Sequence, residues 1–260
     1  MVEEYDLPHL VLSKFYGLNK SFSKKIFVGF NLNESKKKFR LEYRLCGSDV
    51  NAGFISLNYG GWLMMKIFFP RINDYLINRT ENQDETLSFD NFTVRFTKSF
   101  WERAVEISTE EEKSDGKKVK KSLLMKRVTF ETLKNIAPII DDEFDVLHGS
   151  RFFLYSLKNS FIEYIISCLS EGNKKLVSHI SPNDIRSICQ QFNEKTTAVI
   201  REAAIKADPS LEQADLSCSH VFLKELSVLN FEYILCAVSS KLNFYYIYNF
   251  YFTLKNIKIY

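Results

Sequence analysis

A set of apolar residues that recurs 68 positions later constrains this chain more than any other feature. The first set advances by three, four, three and four residues, and the second set has the same steps: Trp62, Met65, Phe69, Ile72 and Leu76, then Phe130, Leu133, Ala137, Ile140 and Phe144. This spacing places each set on one face of a helix. Three other positions recur at the same offset: Lys66, Pro70 and Asp74, as Lys134, Pro138 and Asp142. We therefore expect two copies of one structural unit, with a bend in each helix at its proline.

Strand patterns precede each of these helices. Apolar residues alternate with others along 26–30 and 39–45 in the first copy and along 92–96 and 105–107 in the second, and short apolar segments at 54–57 and 122–125 come just before the helices. Such alternation is typical of strands with one buried face. Each copy is predicted to be three or four strands followed by one helix packed over them. The other face of each sheet is left for a ligand or a partner.

The chain is predicted to have four segments. They are an N-terminal extension (1–21), a first repeat (22–79), a second repeat (80–148) and a helical C-terminal region (149–260). In the last of these, Ser181-Pro182 indicates a helix start, and apolar residues recur at helical spacing on both sides of it. The predicted fold class is α+β, with two small antiparallel sheet-plus-helix units that form a pseudo-dimer, followed by an α-helical region.

The sequence lacks the motifs that are typical of several classes of function. The five cysteines and four histidines are scattered, with no C-x-x-C or H-E-x-x-H spacing, so we expect reduced thiols and no metal. Neither a phosphate loop nor a G-x-S-x-G nucleophile motif occurs, and we expect no enzyme and no cofactor. An acidic start argues against a secretory signal, and no apolar run reaches the roughly 20 residues that span a bilayer, so we expect no membrane partner.

The residues that open the first helix resemble a known family. The segment Gly53–Trp62 reads GFISLNYGGW, which is similar to the G-I-S-L-N-x-x-x-W signature of the transcriptional positive cofactor four family of single-strand DNA-binding coactivators. Asn73–Leu76 resembles the acidic end of the family helix, and Lys36–Arg44 resembles the family's second strand. The second repeat follows the same order of elements, so the resemblance covers about residues 22–147.

Two departures from the family pattern concern the basic residues before the G-I-S-L run. The first repeat has Ser48–Asn51 in their place, whereas the second repeat keeps them as Lys117–Lys121 but has Ser122 instead of the glycine. Family members are mostly homodimers whose paired sheets form channels for single strands. The resemblance therefore implies an intramolecular pseudo-dimer that binds single-stranded DNA without catalysis, in transcription, replication or recombination. It implies a nuclear location, or a viral nucleoprotein in a host nucleus.

Candidate nucleic-acid-binding residues are those that lie off the apolar faces of the predicted strands and cluster at the hairpin turns. They are Lys24, Lys25, Lys36, Lys37, Lys38, Arg40 and Arg44 in the first repeat, and Arg95, Lys98, Phe100, Trp101, Arg103, Lys117, Lys118, Lys120 and Lys121 in the second, with Arg127 just beyond. Single strands are held by cations that contact phosphates and by aromatic rings that stack on bases. Phe100 and Trp101 match the family's stacking position. The net charge of +3 is unevenly distributed along the chain, since residues 22–79 alone carry ten Lys and Arg against four Asp and Glu.

Alternative interpretations remain for each feature. Lys36–Lys38 also fits a solvated turn, Lys117–Lys121 a basic loop or nuclear-import patch, and Trp101 the edge of a core or a dimer seam. The rival hypothesis is an assembly or recruitment protein with little nucleic-acid binding, which the acidic Glu110–Glu112 run favours. The sequence does not distinguish DNA from RNA. Apolar faces in the helical region also fit a protein partner or self-association.

Overall fold

Two four-stranded antiparallel sheets are followed by a helical region, which confirms the predicted α+β class. The computed structural model describes residues 10–33, 38–47, 54–78, 85–90, 92–112, 116, 118–172, 181–214, 217–229, 231 and 233–242. The first sheet has the strand order β1 (Leu10–Gly17), β2 (Lys25–Asn33), β3 (Lys38–Cys46) and β4 (Phe54–Leu57). The second has the order β5 (Thr86–Phe89), β6 (Phe92–Ser99), β7 (Glu102–Glu112) and β8 (Lys118–Lys126).

A helix follows each sheet, as the repeat predicts. Helix α1 (Tyr59–Asn73) ends in a π-helical turn (Asp74–Asn78), and α2 (Arg127–Gly172) continues far past the second repeat. The remaining helices are α3 (Pro182–Gln190), α4 (Glu194–Ala207), a 3₁₀ turn (Pro209–Gln213), α5 (Ser219–Leu229) and a helical segment at 233–242. Every helix in the described residues is too short or too polar to span a membrane.

The structure differs from the sequence prediction in two respects: α2 is longer than expected, and two additional strands are present. Strands β1 and β5 were not predicted, because β5 has only four residues and β1 lies in the segment taken as an extension. The predicted helix of the second repeat and the first helix of the C-terminal region form one helix of 46 residues. Pro138 and Gly149 both lie inside it, since neither a missing hydrogen bond nor a single glycine outweighs the packing of an apolar face. The bends at Pro70 and Pro138 stay a prediction.

The chain divides into two compact bodies. The sheet body comprises Ser13–Gly29 and Leu41–His148, and the helical body comprises the described residues of Met1–Leu12, Phe30–Arg40 and Gly149–Tyr260. Strands β1 to β3 and helix α2 contribute residues to both bodies. Both predicted repeats have most of their described residues in the sheet body, and the predicted segment boundaries themselves stay a prediction.

The core of the sheet body is built from the residues that the repeat identifies. All ten members of the two helical sets are buried, as are the alternating residues of the central strands: Leu41, Tyr43 and Leu45 in β3, Phe92, Val94 and Phe96 in β6, and Val105 and Ile107 in β7. The indole of Trp62 stacks on Tyr43 with ring centroids 5.0 Å apart. Its Nε1 donates a hydrogen bond of 2.6 Å to Asp141 Oδ1 in α2. The two repeats therefore share one core.

Contacts between the two helices are reciprocal. Lys66 Nζ of α1 lies 2.7 Å from Asp141 Oδ2 of α2, and Lys134 Nζ of α2 donates a hydrogen bond of 2.9 Å to Asn73 Oδ1 of α1. Lys134 is the repeat equivalent of Lys66, and Asp141 is the equivalent of Asn73, at the same offset of 68 residues. In a two-fold interface, each contact between two residues occurs a second time between their equivalents in the opposite halves. Within one chain, this is the arrangement that the pseudo-dimer prediction requires.

Candidate nucleic-acid interface

The turn between β6 and β7 carries two exposed aromatic side chains, which we call the hairpin tip (Phe100 and Trp101). The strand pairing ends at Ser99 and Glu102, so the loop consists of these two residues alone. The side chains are among the most exposed large hydrophobic groups in the described residues, with Phe100 89% and Trp101 97% exposed. Because β6 is paired with β7 along its whole length up to this loop, the sheet holds both rings out from the core.

The backbone of the hairpin tip is in a conformation that these residue types avoid. The φ angles of Phe100 and Trp101 are 50° and 69°, and two consecutive positive values in a two-residue loop are typical of a type I′ turn. That turn strongly prefers Asn-Gly or Asp-Gly, since the left-handed region costs other residues about 1–2 kcal/mol each. The turn after β5 in the same sheet follows the preference, with Asp90 at a φ of 50°. Two strained and solvent-exposed aromatics therefore point to a function at the tip.

A basic groove lies beside the hairpin tip, and we refer to it as the tip groove. Its volume is about 670 Å³, and five cationic side chains and one carboxylate line it, together with Trp101, Leu76, Asn19 and the first turn of α2: Lys24, Lys98, Arg103, Lys126 and Arg127, with Glu102. All of these residues belong to the sheet body. The start of α2 contributes Val128 and Thr129 to the wall, and a helix N-terminus carries a partial positive charge that attracts anions.

The fold holds several of these cations in place. Lys98 and Arg103 are opposite each other in the β6–β7 pairing, so their side chains leave the same face of the sheet. Arg103 Nη1 donates a hydrogen bond of 2.9 Å to the carbonyl oxygen of Tyr75, and its guanidinium lies 4.9 Å from the Tyr75 ring centroid. Lys126 Nζ is 2.6 Å from Glu102 Oε2 and 5.7 Å from the Phe100 ring centroid. The tip groove and the aromatic tip are thus one continuous surface.

The electrostatics of the tip groove favour a bound anion. Burial lowers the pKa of Lys24, and the nearby ammonium group of Lys126 lowers that pKa further. An anion beside Lys24 offsets both effects and stabilises its charged form. A phosphate group is such an anion and fits the helix N-terminus in the same wall.

Other predicted residues of the second repeat lie on the outer face of the sheet and are paired with carboxylates. Arg95 Nη2 is 2.5 Å from Glu106 Oε2, and Lys120 Nζ is 3.2 Å from Glu106 Oε1. Burial raises the pKa of Glu106, but the hydrogen bonds and charges of Lys120 and Arg95 outweigh burial and leave that pKa low. Lys118 lies 4.0 Å from Glu110. The positive charge on this face is largely compensated within the sheet.

Arg44 is a correction to the expected site, because the structure buries it. The residue is only 2% exposed, and its guanidinium lies 4.3 Å from the Phe54 ring centroid and 3.4 Å from Glu42 Oε2. The register pairs Arg44 with Ser56, so Phe54 projects from the same face and covers it. Lys121 is half-buried and lies 4.8 Å from the same Phe54 ring. Arg44 therefore cannot reach a strand in solvent as the sequence predicts.

Of the predicted residues of the first repeat, Lys24 lines the tip groove. Lys25 lies over the Phe15 ring, 5.2 Å from its centroid, and Arg40 is exposed on β3. Lys36, Lys37 and Lys117 lie outside the described residues, and of Lys38 only the backbone position at the start of β3 is described. Sequence reasoning missed Lys126 and Glu102. The signal that could have found them is their position at strand ends flanking the tip.

The described residues hold no cluster of His, Cys, Asp and Glu suited to a metal ion. The sequence matches no protein-family model and no curated protein.

Proposed function

We propose that this protein binds single-stranded nucleic acid, with bases stacked on the hairpin tip and phosphates held in the tip groove. The observation that carries the proposal is the pair of exposed aromatics in left-handed backbone positions. An aromatic ring gives a base a stacking surface worth roughly 1–3 kcal/mol, whatever the base. A duplex offers its bases only at its ends, so a stacking tip favours unpaired strands.

The cations of the tip groove supply the second half of the mechanism. Phosphates neutralised by Lys and Arg release counterions, and for single strands log K falls with log salt by about 0.7 per phosphate. Five cations around one groove are enough for about three phosphates, since Lys126 is paired with Glu102 and Arg127 with Glu131. A strand that follows the groove to the tip places its bases against Trp101.

The substrate and setting follow the family resemblance, and we propose them on that basis. Single-stranded DNA is the favoured ligand, with RNA as the alternative. The expected role is a non-enzymatic one in transcription, replication or recombination, in a nucleus. Stabilising melted strands is the activity common to these roles, because a protein that binds only unpaired bases shifts the melting equilibrium by mass action.

The first test is intrinsic fluorescence, since only two tryptophans are present and their environments differ. Trp101 is 97% exposed and Trp62 is fully buried. An unstructured oligonucleotide should quench Trp101 by stacking, and acrylamide should then reach Trp101 less easily. We expect single-strand affinity to exceed that for a duplex of the same sequence by at least about tenfold. Equal affinity for both forms, or no binding, would overturn the proposal.

The second test concerns charge in the tip groove. Replacing Lys98, Lys126 and Arg127 by glutamine should make the salt dependence shallower by roughly 1–2 in the log–log slope, because two of these cations are paired with carboxylates in the free protein. A matched control replaces three exposed lysines of the helical body by glutamine, Lys195, Lys206 and Lys224, and should leave the slope unchanged. The measurement is oligonucleotide anisotropy at several salt concentrations. An unchanged slope in the groove variant would exclude phosphate contacts there.

The rival function, recruitment of a protein partner, is favoured by one observation. Arg95, Glu106 and Lys120 form a charge-compensated row on the outer face of the second sheet, which suits a polar protein contact better than a polyanion. If the hairpin-tip and groove variants both bind strands as well as the parent protein does, this second function takes the place of the first.

A further inference from the structure

The helical body contains a lysine in surroundings that lysines rarely occupy. Lys158 of α2 is only 6% exposed. Its Nζ donates a hydrogen bond of 3.1 Å to Tyr233 Oη and lies 4.2 Å from the Tyr155 ring centroid. Lysines are almost never buried unless a carboxylate pairs with them, and among the described residues no carboxylate pairs with this one. The proposed strand binding does not use this group.

A cavity of about 220 Å³ opens onto Lys158. Apolar and aromatic groups form much of its wall, with a few polar groups among them: Tyr155, Asn159, Ile162, Tyr233, Cys236 and Ser240. This volume is below the roughly 300–1,000 Å³ of pockets for drug-sized ligands, so a molecule with a single ring is a suitable size. A ligand in the cavity meets the amino group directly.

The charges around the cavity favour the neutral amine. Burial, and to a smaller extent the charge of Lys241, lower the pKa of Lys158 to about 8. Lys241 itself forms an ion pair with Glu163. The other titratable groups that face Lys158 are Tyr155, Tyr233 and Cys236, and burial raises the pKa of Tyr233 to about 12. At pH 7 about a tenth of Lys158 is therefore unprotonated, far more than of an ordinary lysine, while Tyr233 keeps its proton.

We propose that Lys158 is a nucleophilic amine that captures a small aldehyde or ketone as a Schiff base. The Nζ lone pair attacks the carbonyl carbon, the carbonyl electrons move to oxygen, and that oxygen takes a proton. Loss of water from the carbinolamine then gives the C=N bond, and the released water carries away the carbonyl oxygen with the equivalent of the two amine protons. The Tyr233 hydroxyl, which accepts a hydrogen bond from Nζ, is placed to donate a hydrogen bond to the carbonyl oxygen. Neutral amines desolvated in apolar pockets are the usual form of such nucleophiles.

The test uses 2-hydroxybenzaldehyde as the probe, followed by borohydride to reduce the imine, and peptide mapping of the full chain by mass spectrometry. At pH 8, Lys158 should be modified at least about tenfold faster than Lys195 and Lys206, which are exposed lysines of the same body. The rate at Lys158 should rise with pH around a midpoint near 8. The comparison lies within one protein, so it does not depend on a variant that folds.

Two variants and one control variant make the result more specific. Lys158→Met removes the amine at similar length and should abolish the fast modification, whereas Lys206→Met should leave it unchanged. Tyr233→Phe keeps the ring and removes the hydroxyl, and should slow modification of Lys158 without affecting Lys206. Equal rates at Lys158 and the exposed lysines would show that the buried amine only bonds Tyr233, and would overturn the proposal. Strand binding is measured separately, so failure here leaves the proposed function standing.

Discussion

Replacing Phe100-Trp101 by Asn-Gly should make the protein more stable and much poorer at binding single strands. Asn-Gly is the preferred pair for a two-residue loop with two positive φ angles, so the change relieves the strain at both positions. We expect the free energy of unfolding to rise by about 2 kcal/mol. Strand affinity should fall at least about thirtyfold, because two stacking surfaces of roughly 1–3 kcal/mol each are lost.

Denaturant melts and anisotropy with a labelled oligonucleotide measure the two effects on the same variant. A control for the loss of exposed aromatic surface is Phe152→Ala, which removes a ring that is 70% exposed in the helical body and should leave strand affinity unchanged. Opposite changes in stability and strand affinity would identify a binding role for the hairpin tip. If the tip were only structural, its replacement would lower both quantities or neither. Full retention of affinity in the Asn-Gly variant would remove the hairpin tip from the site.

Asp141→Ala should lower the free energy of unfolding by about 2 kcal/mol. The substitution removes the acceptor of the Trp62 Nε1–H and the partner of Lys66 at once, and a buried donor without an acceptor costs roughly 1–3 kcal/mol. The effect is large for one surface-accessible carboxylate, given that whole domains are stable by only about 5–15 kcal/mol. Both partners of Asp141 lie on α1, so the loss also loosens the contact between the repeats.

The adjacent residue provides a matched control. Asp142 carries the same side chain on the same helix and is exposed, so Asp142→Ala should change stability by less than about 0.5 kcal/mol. Thermal and urea melts of the two variants give the comparison. Trp62→Phe combined with Asp141→Ala completes a double-mutant cycle, and a coupling near zero would show that the indole bond contributes nothing.

Periodicity predicts the helices and central strands of the sheet body because burial there is one-sided and regular. Each apolar position of the repeat is buried, including Ala137, whose small side chain gives little signal alone. The continuity of α2 could not be predicted in the same way. Pro138 and Gly149 are local stop signals, and only tertiary packing decides whether a helix ends at them.

The candidate site could be predicted from the sequence at positions where the local sequence alone determines whether a side chain is exposed. Phe100 and Trp101 follow an alternating strand and precede another, so a turn between them is the simplest interpretation. Arg44 shows the limit of this reasoning, since alternation places it off the apolar face but does not reveal that Phe54 covers it. The pairing of Arg95 with Glu106 likewise depends on cross-strand register, which places these two residues opposite each other. Registers arise from the assembled sheet and are not encoded in any one segment.

The reciprocal lysine contacts between the helices have a consequence for how this protein can change. In a homodimer, a substitution at a two-fold interface appears twice, so both halves must tolerate it. Here Lys66 meets a carboxylate at Asp141 while Lys134 meets an amide at Asn73, although the positions are equivalent. Because the two halves belong to one chain, each can change independently of the other. One half can therefore keep the contacts between the helices while the other carries the exposed aromatic hairpin tip, a division of labour that identical subunits cannot achieve.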